Sequence, residues 1–217
     1  MLSLSLGSND GLLNYVGRQL DNFFPDGRGE AERPALQVQL EPALRRLERC
    51  IAEVRMWTPG RFDHLHSSQY TIFLYYLANT LWHAGTERAL CNKLFGLNKA
   101  LNGIDLFYEI ELPEVFFIGH SVGIVLAKAR YGNRLVLYQN CTVGKNHGDA
   151  PTLGEGVVMY PDSAVIGRCE IGPGTVIAQG TSIVNRSTPG NCMVFGGEAG
   201  DLVFKTPTRD VLADLFR

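Results

Sequence analysis

The sequence predicts an α+β protein: an α-helical N-terminal region (residues 1–104), a parallel β-helix (residues 105–205) and a C-terminal tail (residues 206–217). Three observations predict it. Aliphatic residues recur every six positions in the C-terminal half, apolar residues recur at helical spacing in the N-terminal half, and the period changes after Gly103. A period of six fits neither an α-helix nor an alternating strand, and short hexapeptide repeats are typical of a parallel β-helix.

Aliphatic residues in strict register carry the six-residue repeat. Three hexads make one coil, so residues eighteen apart should stack. The stacked pairs are expected to be Leu153 with Ile171, Met159 with Ile177, and Val165 with Ile183. An antiparallel β-domain with regularly spaced turns is the alternative, and the number of hexads in register disfavours it.

Small or β-branched residues stand two positions before each following aliphatic position, where we expect them to fit the tight inner corners of the coil. These residues are Val157, Ser163, Cys169, Thr175, Thr181 and Ser187. Gly154 and Gly172 are expected at sharp turns, because glycine tolerates a positive φ without steric cost.

Three helices are predicted from apolar spacing and from the residues at their ends. The first has Pro42 in its first turn, a position that proline suits. Gly85 and Gly103 should end the second and third helices. Ahead of them, residues 1–34 are expected to be irregular and residues 36–40 briefly extended. The predicted helices are Glu41 to Trp57, Tyr70 to His83 and Glu87 to Leu101, with Ser67 or Ser68 and Thr86 as N-caps of the last two.

The segment 105–113 alternates like a strand, which would put Phe107, Glu109 and Glu111 on one face. Farther along, the hexad spacing of Leu137 and Val143 breaks in a polar stretch, residues 144–152, which we call the excursion loop. We expect this loop to project from the coil, and loops carry function more often than scaffolds do. The tail is expected to carry a short amphipathic segment, residues 211–216.

Composition excludes several classes of protein. The chain has 217 residues with 45% hydrophobic and 19% charged residues, so both halves can bury a core. A net charge of −2 without a basic run argues against nucleic acid as a partner. No stretch reaches the roughly 20 apolar residues of a membrane span, and the N-terminus makes a poor signal peptide. The five cysteines lack paired spacing. We therefore expect a cytoplasmic protein with reduced thiols.

Two stretches resemble the catalytic segments of serine O-acetyltransferases and related hexapeptide-repeat acyltransferases. They read His120-Ser-Val-Gly-Ile-Val125 and Leu137-Tyr-Gln-Asn-Cys-Thr-Val-Gly144. The segment Val194-Phe-Gly-Gly-Glu-Ala199 resembles the family's closing turn, with Glu198 in place of its proline. The resemblance covers roughly residues 70–205. It implies a left-handed β-helix, which is an exception to the right-handed crossover rule, and direct acetyl transfer from acetyl-CoA to a hydroxyl or amine.

In that family a histidine acts as general base, and the resemblance assigns this catalytic role to His120. An imidazole with an ordinary pKa of about 6.5 is largely neutral at cytosolic pH and can accept a proton. A carboxylate usually orients such a base. The family has an acidic residue shortly before a proline, so Glu111, two residues before Pro113, is predicted for that role, and Glu109 is the alternative.

Acetyl-CoA, the co-substrate that the resemblance implies, would lie in a groove between neighbouring coils, where backbone amides at turns bind the pantetheine. Gly144, Tyr160 and Ala178 match that groove, and Lys145 and Lys205 are candidates for its phosphates.

A γ-type carbonic anhydrase is built on the same coil but needs three histidine ligands for its zinc. Beyond residue 110 the chain has only His120 and His147, so no metal is predicted.

The acceptor is predicted from a difference between this chain and the family. Serine acetyltransferases hold the amino acid with an Asp directly before the histidine and with an Arg-His pair before a proline in the loop. Here Gly119 stands at the first place and Asp149-Ala150 at the second. Because losing a paired charge weakens binding, we expect serine to be a poor substrate. A sugar or nucleotide-linked sugar is the predicted acceptor, and Asn146, His147 and Asp149 are the predicted acceptor-binding residues.

Two other functions remain open. One is a genuine serine O-acetyltransferase of cysteine biosynthesis, and the other is a non-catalytic scaffold. The resemblance also implies a homotrimer that acts on a small-molecule acceptor.

Overall fold

The computed structural model describes residues 2–217 and divides into two compact units, Met1–Glu109 and Ile110–Arg217. The first unit is mainly helical and the second is a β-solenoid. Within residues 2–217, no helix combines the length and the apolar character that crossing a bilayer requires.

Four helices and three short strands build the first unit. The strands β1 (Ser3–Leu4) and β2 (Arg61–Phe62) pair with each other, and β3 (Asp105–Leu106) follows the last helix. The helices are α1 (Asn9–Phe23), α2 (Gly29–Glu53), α3 (Ser67–His83) and α4 (Arg88–Asn102).

Helix α1 lies where the sequence predicted irregular structure, so that prediction is wrong. The Ser8 hydroxyl caps the helix by accepting a hydrogen bond from the Gly11 N–H at 3.0 Å. Leu12, Val16 and Leu20 recur every four residues and are buried, which is the helical pattern. The turn residues between 25 and 29 mark only the connection to α2.

Helix α2 begins at Gly29 rather than Glu41, so the predicted extended segment is also wrong. Leu36 and Leu40 are one turn apart and buried, whereas Val38 between them is 67% exposed. The alternation of apolar and polar residues that resembles a strand extends over only five residues, 36–40. Pro34 and Pro42 both lie inside the helix, so neither marks its start.

Helices α3 and α4 agree with the predictions to within a few residues. Their N-caps are His66 and Glu87, each one residue from a predicted cap. Gly103 ends α4 with a φ of +65°, a left-handed conformation that favours glycine.

The second unit is a parallel β-solenoid, left-handed as the resemblance implied. One sheet contains β4 (Phe116–Ile118), β7 (Leu135–Leu137), β10 (Val158–Met159), β13 (Val176–Ile177), β15 (Met193–Gly196) and β16 (Leu202–Lys205). A second contains β5 (Val125–Leu126), β8 (Thr142–Gly144), β11 (Ala164–Ile166) and β14 (Ser182–Val184). A third contains β6 (Arg130–Tyr131), β9 (Thr152–Leu153) and β12 (Glu170–Ile171). The tail carries α5 (Val211–Leu215), as the sequence predicted.

The hexad stacking predicted from the sequence is confirmed. Leu153 pairs with Ile171, Met159 with Ile177 and Val165 with Ile183, all in parallel register. These side chains are at most 2% exposed, so they form the core of the coil.

The last inner corner departs from the predicted pattern. Ser187 is exposed, and the buried Thr188 pairs with Ile171, an aliphatic position of the preceding coil. Val194 then stacks on Ile177 seventeen residues earlier rather than eighteen. The final coil is therefore one residue shorter than the eighteen-residue coil directly before it.

The glycines at residues 154 and 172 serve close packing rather than a positive φ. A Cβ at Gly154 would come within 2.7 Å of the Pro173 backbone nitrogen, and one at Gly172 within 2.5 Å of the Gly190 nitrogen. Successive coils approach too closely there for any side chain. The residues with positive φ lie two positions later, at Gly156 and Gly174.

The predicted strand over 105–113 is mostly wrong, because only β3 at its start is a strand. The alternation nevertheless describes burial: Leu106, Tyr108, Ile110 and Leu112 are buried. The intervening side chains, the two candidate glutamates included, are exposed or half-buried.

Candidate active site

His120 lies in an exposed turn directly after β4. The turn closes with a hydrogen bond from the Ile124 N–H to the Ser121 carbonyl at 3.2 Å, and Gly123 allows it with a φ of +76°. Ser121 is buried and Val122 is 64% exposed. The fold thus presents the imidazole to solvent on a backbone that is hydrogen-bonded to the coil.

The next coil supports this turn on both sides. The Gly119 N–H donates to the Leu137 carbonyl at 2.9 Å, and the Asn140 N–H donates to the Val122 carbonyl at 2.9 Å. These two bonds place residues 119–122 directly against residues 137–140. The second motif found in the sequence therefore lies next to the first.

Aromatic rings line the coil beside this turn. The rings of Tyr138 and Tyr160 stack with centroids 5.5 Å apart and planes 19° apart, and Phe117 meets Tyr138 edge-on at 6.4 Å. Burial, and then the neighbouring Tyr160, raise the pKa of Tyr138. Both factors disfavour ionisation of the Tyr138 phenol.

The carboxylate predicted to orient His120 forms no hydrogen bond or ion pair with it. Glu111 is exposed and Glu109 is half-buried. Within residues 2–217 the His120 side chain makes no hydrogen bond and no ion pair. The orienting role of Glu111 therefore stays a prediction.

The excursion loop is a tight hairpin. Asn146 and Asp149 exchange two backbone hydrogen bonds of 3.0 Å each, and His147 and Gly148 between them have φ values of +49° and +91°. Such a two-residue turn suits a hairpin. Val143 stacks on Val165 twenty-two residues later instead of eighteen, so the loop adds four residues to the coil.

Arg168 reaches this hairpin from the following coil. Its Nη2 lies 3.0 Å from Asp149 Oδ2, and its Nε donates to the same oxygen at 3.2 Å. The Arg168 side chain is 80% exposed. Arg168 was not predicted from the sequence, although the eighteen-residue coil spacing points from the hairpin to its position. The hairpin thus carries a guanidinium as well as an acid.

The candidate CoA-binding residues fall on two sheets. Tyr160 and Ala178 occupy matched positions after β10 and β13, since the Tyr160 N–H donates to the Ile177 carbonyl at 3.0 Å. Lys205 lies on the same sheet, with its Nζ 5.0 Å from the centre of the Phe195 ring. Gly144 ends β8 in the second sheet, and Lys145 follows it. The structure thus brings three of the five to one sheet.

Metal ligands do not cluster in the described chain. Across residues 2–217, no group of three His, Cys, Asp or Glu side chains is placed to hold an ion. The five cysteines are all free thiols and buried.

Comparison with known proteins points to serine acetyltransferases. No protein-family model matches the chain. The serine acetyltransferase of Synechococcus elongatus is 31% identical over 118 residues, which cover 52% of this chain and 48% of that protein. Serine acetyltransferase 2 of Arabidopsis thaliana is 29% identical over 130 residues, or 58% of this chain and 40% of that protein. The chain thus spans about half or less of these curated relatives.

Solved structures show the same fold. The serine acetyltransferase of Brucella abortus strain S19 superposes with a TM-score of 0.72 at 18% identity and covers 92% of this chain and 85% of that one. At that identity the likeness shows the fold alone. The chain therefore has the left-handed β-helix of the hexapeptide-repeat acyltransferases and resembles the serine O-acetyltransferases in sequence as well as in fold.

Proposed function

We propose that this chain is an acetyl-CoA-dependent O-acetyltransferase of the serine acetyltransferase type. The observation that carries the proposal is the 31% identity to a serine acetyltransferase over 118 residues. The exposed imidazole of His120, on a turn held by the next coil, supports it. A neutral imidazole near pH 7 is suited to general-base catalysis.

The reaction proceeds by direct attack. His120 takes the proton of the acceptor hydroxyl as its oxygen attacks the thioester carbonyl of acetyl-CoA. The C–S bond then breaks, CoA leaves as a thiolate that is protonated to the free thiol, and the acetyl ester is released. No covalent enzyme intermediate forms, so the chain needs no nucleophile of its own.

Serine replaces a sugar as the favoured acceptor. The sugar was inferred from the missing charge pair, yet the relatives are serine acetyltransferases and lend a sugar acceptor no support. The geometry also weakens that inference, because Arg168 brings a guanidinium to the hairpin where the sequence shows only Asp149 and Ala150. A guanidinium is well suited to bind a carboxylate. We assign Arg168 to the acceptor's carboxylate, with Asn146, His147 and Asp149 beside it.

Acetyl-CoA binding rests on the fold and on the sheet that carries Tyr160 and Ala178. The Brucella abortus enzyme has been solved in complex with coenzyme A, and that structure superposes with a TM-score of 0.68 at 17% identity, covering 91% of this chain and 82% of that one. In this chain Tyr160, Ala178 and Lys205 would contact CoA on one sheet. Gly144 and Lys145 would contribute from the second. We also infer a homotrimer and a cytoplasmic location.

The test is an assay of CoA release with L-serine beside a panel of nucleotide-linked sugars and amino sugars. Saturable release with serine, and identification of O-acetylserine by mass spectrometry, is the expected result. Release with a sugar and none with serine would restore the sugar acceptor. Absence of release with every hydroxyl acceptor, while CoA binds, would overturn the proposed acetyl transfer.

A further inference from the structure

The turn that carries His120 is longer than the equivalent turn of the next coil. Gly119 lies opposite Tyr138, and Gly123 lies against Asn140, whose Cα is 3.3 Å from the position of a Cβ on Gly123. The first coil therefore has three residues, 120–122, between these two matched positions, whereas the next coil has only Gln139. Gln139 is the residue of the second motif that directly underlies the His120 turn.

Gln139 has a buried acceptor without a partner. Its Oε1 is inaccessible to solvent and accepts no hydrogen bond from residues 2–217. Leaving a buried polar atom unpaired destabilises the folded protein. Such atoms are few in native structures, and each requires an explanation. One explanation is that the atom has a partner in the working enzyme.

His120 supplies the matching donor. A neutral imidazole carries one N–H, and the His120 ring has no hydrogen-bond partner among residues 2–217. Neighbouring strands lie about 4.8 Å apart, so side chains at matched positions of successive coils can meet. The exposed His120 ring and the unpaired Oε1 of Gln139 thus belong to register-matched turns of two adjoining coils.

We propose that Gln139 is a positioning residue for His120: its Oε1 accepts the imidazole N–H and leaves the other ring nitrogen to take the acceptor's proton. This inference rests on the proposed function for its effect on turnover, but not for the hydrogen bond itself. A neutral amide fixes the tautomer without the increase in imidazole pKa that a carboxylate causes. The second ring nitrogen is then left free to act as the base.

The experiment compares Gln139→Leu with Gln179→Leu in the full-length protein. Gln179 occupies the same corner position two coils farther on and is exposed, so it controls for loss of an amide. For Gln139→Leu we expect kcat to fall by about tenfold or more, as part of the general base's contribution. The KM for acetyl-CoA and the unfolding temperature should not fall. Gln179→Leu should leave kcat, the KM for acetyl-CoA and the unfolding temperature unchanged.

The tautomer of His120 is the second measurement, read from the ¹⁵N shifts of its ring without substrate. Gln139→Leu should mix the tautomers. Gln139→Glu should keep one tautomer and move the acid limb of the kcat profile to higher pH, because a carboxylate raises the imidazole pKa. A single unchanged tautomer and unchanged kcat in Gln139→Leu would overturn the proposal. So would a tautomer that responds to Glu111→Gln and not to Gln139→Leu.

The two proposals fail in different ways. If no hydroxyl acceptor releases CoA while the tautomer still depends on Gln139, the proposed function fails and the positioning role stands. If serine is acetylated at an unchanged rate by Gln139→Leu, the positioning role fails and the proposed function stands.

Discussion

The ring of Tyr138 occupies the space that a side chain at Gly119 would need. A Cβ at Gly119 would lie 2.6 Å from the Tyr138 Cε1 and 2.7 Å from its Cδ1, which is closer than any carbon contact allows. Tyr160 stacks on Tyr138 at 5.5 Å and limits its movement away. The glycine before His120 is therefore required by the position of the Tyr138 ring in the next coil.

Gly119→Ala should destabilise the protein by about 1–3 kcal/mol, the usual penalty for overpacking. The same substitution made in a Tyr138→Ala background should cost clearly less, because the ring that it strikes is gone. Urea unfolding of the four proteins in this double-mutant cycle measures the coupling. Equal penalties in both backgrounds would contradict the packing described here.

His120→Ala should reduce kcat by about 10²–10⁴-fold while CoA binding and folding persist, since a general base contributes that much. His83→Ala, an exposed histidine of the helical unit, is the matched control and should leave kcat within a few-fold. Steady-state CoA release and calorimetric CoA binding measure the two effects. Near wild-type turnover in His120→Ala would remove this residue from the mechanism.

Glu111→Gln should affect turnover less than His120→Ala does, because the structure shows no hydrogen bond or ion pair between Glu111 and the imidazole. Glu109→Gln, assayed in parallel, decides whether either carboxylate acts in the assembled enzyme. A loss of turnover with Glu111→Gln as large as that with His120→Ala would show that this carboxylate orients the base.

Arg168→Ala should raise the KM for serine by about tenfold or more, because hydrogen bonds to charged groups contribute about 1.5–3 kcal/mol. The KM for acetyl-CoA should stay the same. Arg186→Ala is the control: Arg186 is another exposed arginine, bound to the Gly200 carbonyl at 3.0 Å. An unchanged KM for serine in Arg168→Ala would show that the hairpin guanidinium does not bind the acceptor.

Lys93→Ala should destabilise the helical unit by about 3–5 kcal/mol, the cost of leaving a buried charge unpaired. The Lys93 Nζ lies 2.8 Å from Glu32 and 2.8 Å from Asp26, and the Lys93 and Glu32 side chains are 9% exposed. Lys99→Ala, which breaks an exposed pair with Asp105 at 2.6 Å, should cost less than about 1 kcal/mol.

The pH dependence of that cluster has a defined sign. Burial alone would lower the pKa of Lys93, but hydrogen bonds from its ammonium to Asp26 and Glu32 outweigh it, so the pKa is raised. Its stabilising effect is therefore complete below the ordinary lysine pKa of about 10.4 and lost as the pH rises through the higher folded value. The difference in unfolding free energy between wild type and Lys93→Met should be constant from pH 7 to about 10 and begin to narrow above it.

Sedimentation equilibrium should give three times the 23.9 kDa of one chain, because the resemblance implies a homotrimer. A stable monomer at micromolar concentration would contradict the trimer. Since trimers place active sites between subunits in that family, such a result would also remove the reason to seek a partner's residue near His120.

The coil was predictable because its period is imposed by side chains that point inward, such as Met159 and Ile177, and any slip would expose them. Helix α1 was not predicted because the turn residues 25–29 are a local signal that says nothing of Leu12, Val16 and Leu20, which have helical spacing. Arg168 and Gln139 could not be assigned from local sequence. Their proposed roles depend on which residue of the preceding coil they meet, and that is visible only in the folded chain.

The antiparallel strand β16 gives the coil a finite length. All the strands of this sheet except β16 pair with one another in parallel. The unpaired edge of a parallel coil is a template on which a further coil can form. Strand β16 reverses direction and pairs with β15 from Met193 opposite Lys205 to Gly196 opposite Leu202. A second molecule meeting this edge finds a strand of the wrong polarity to continue the winding, so on this side the chain resists end-to-end polymerisation.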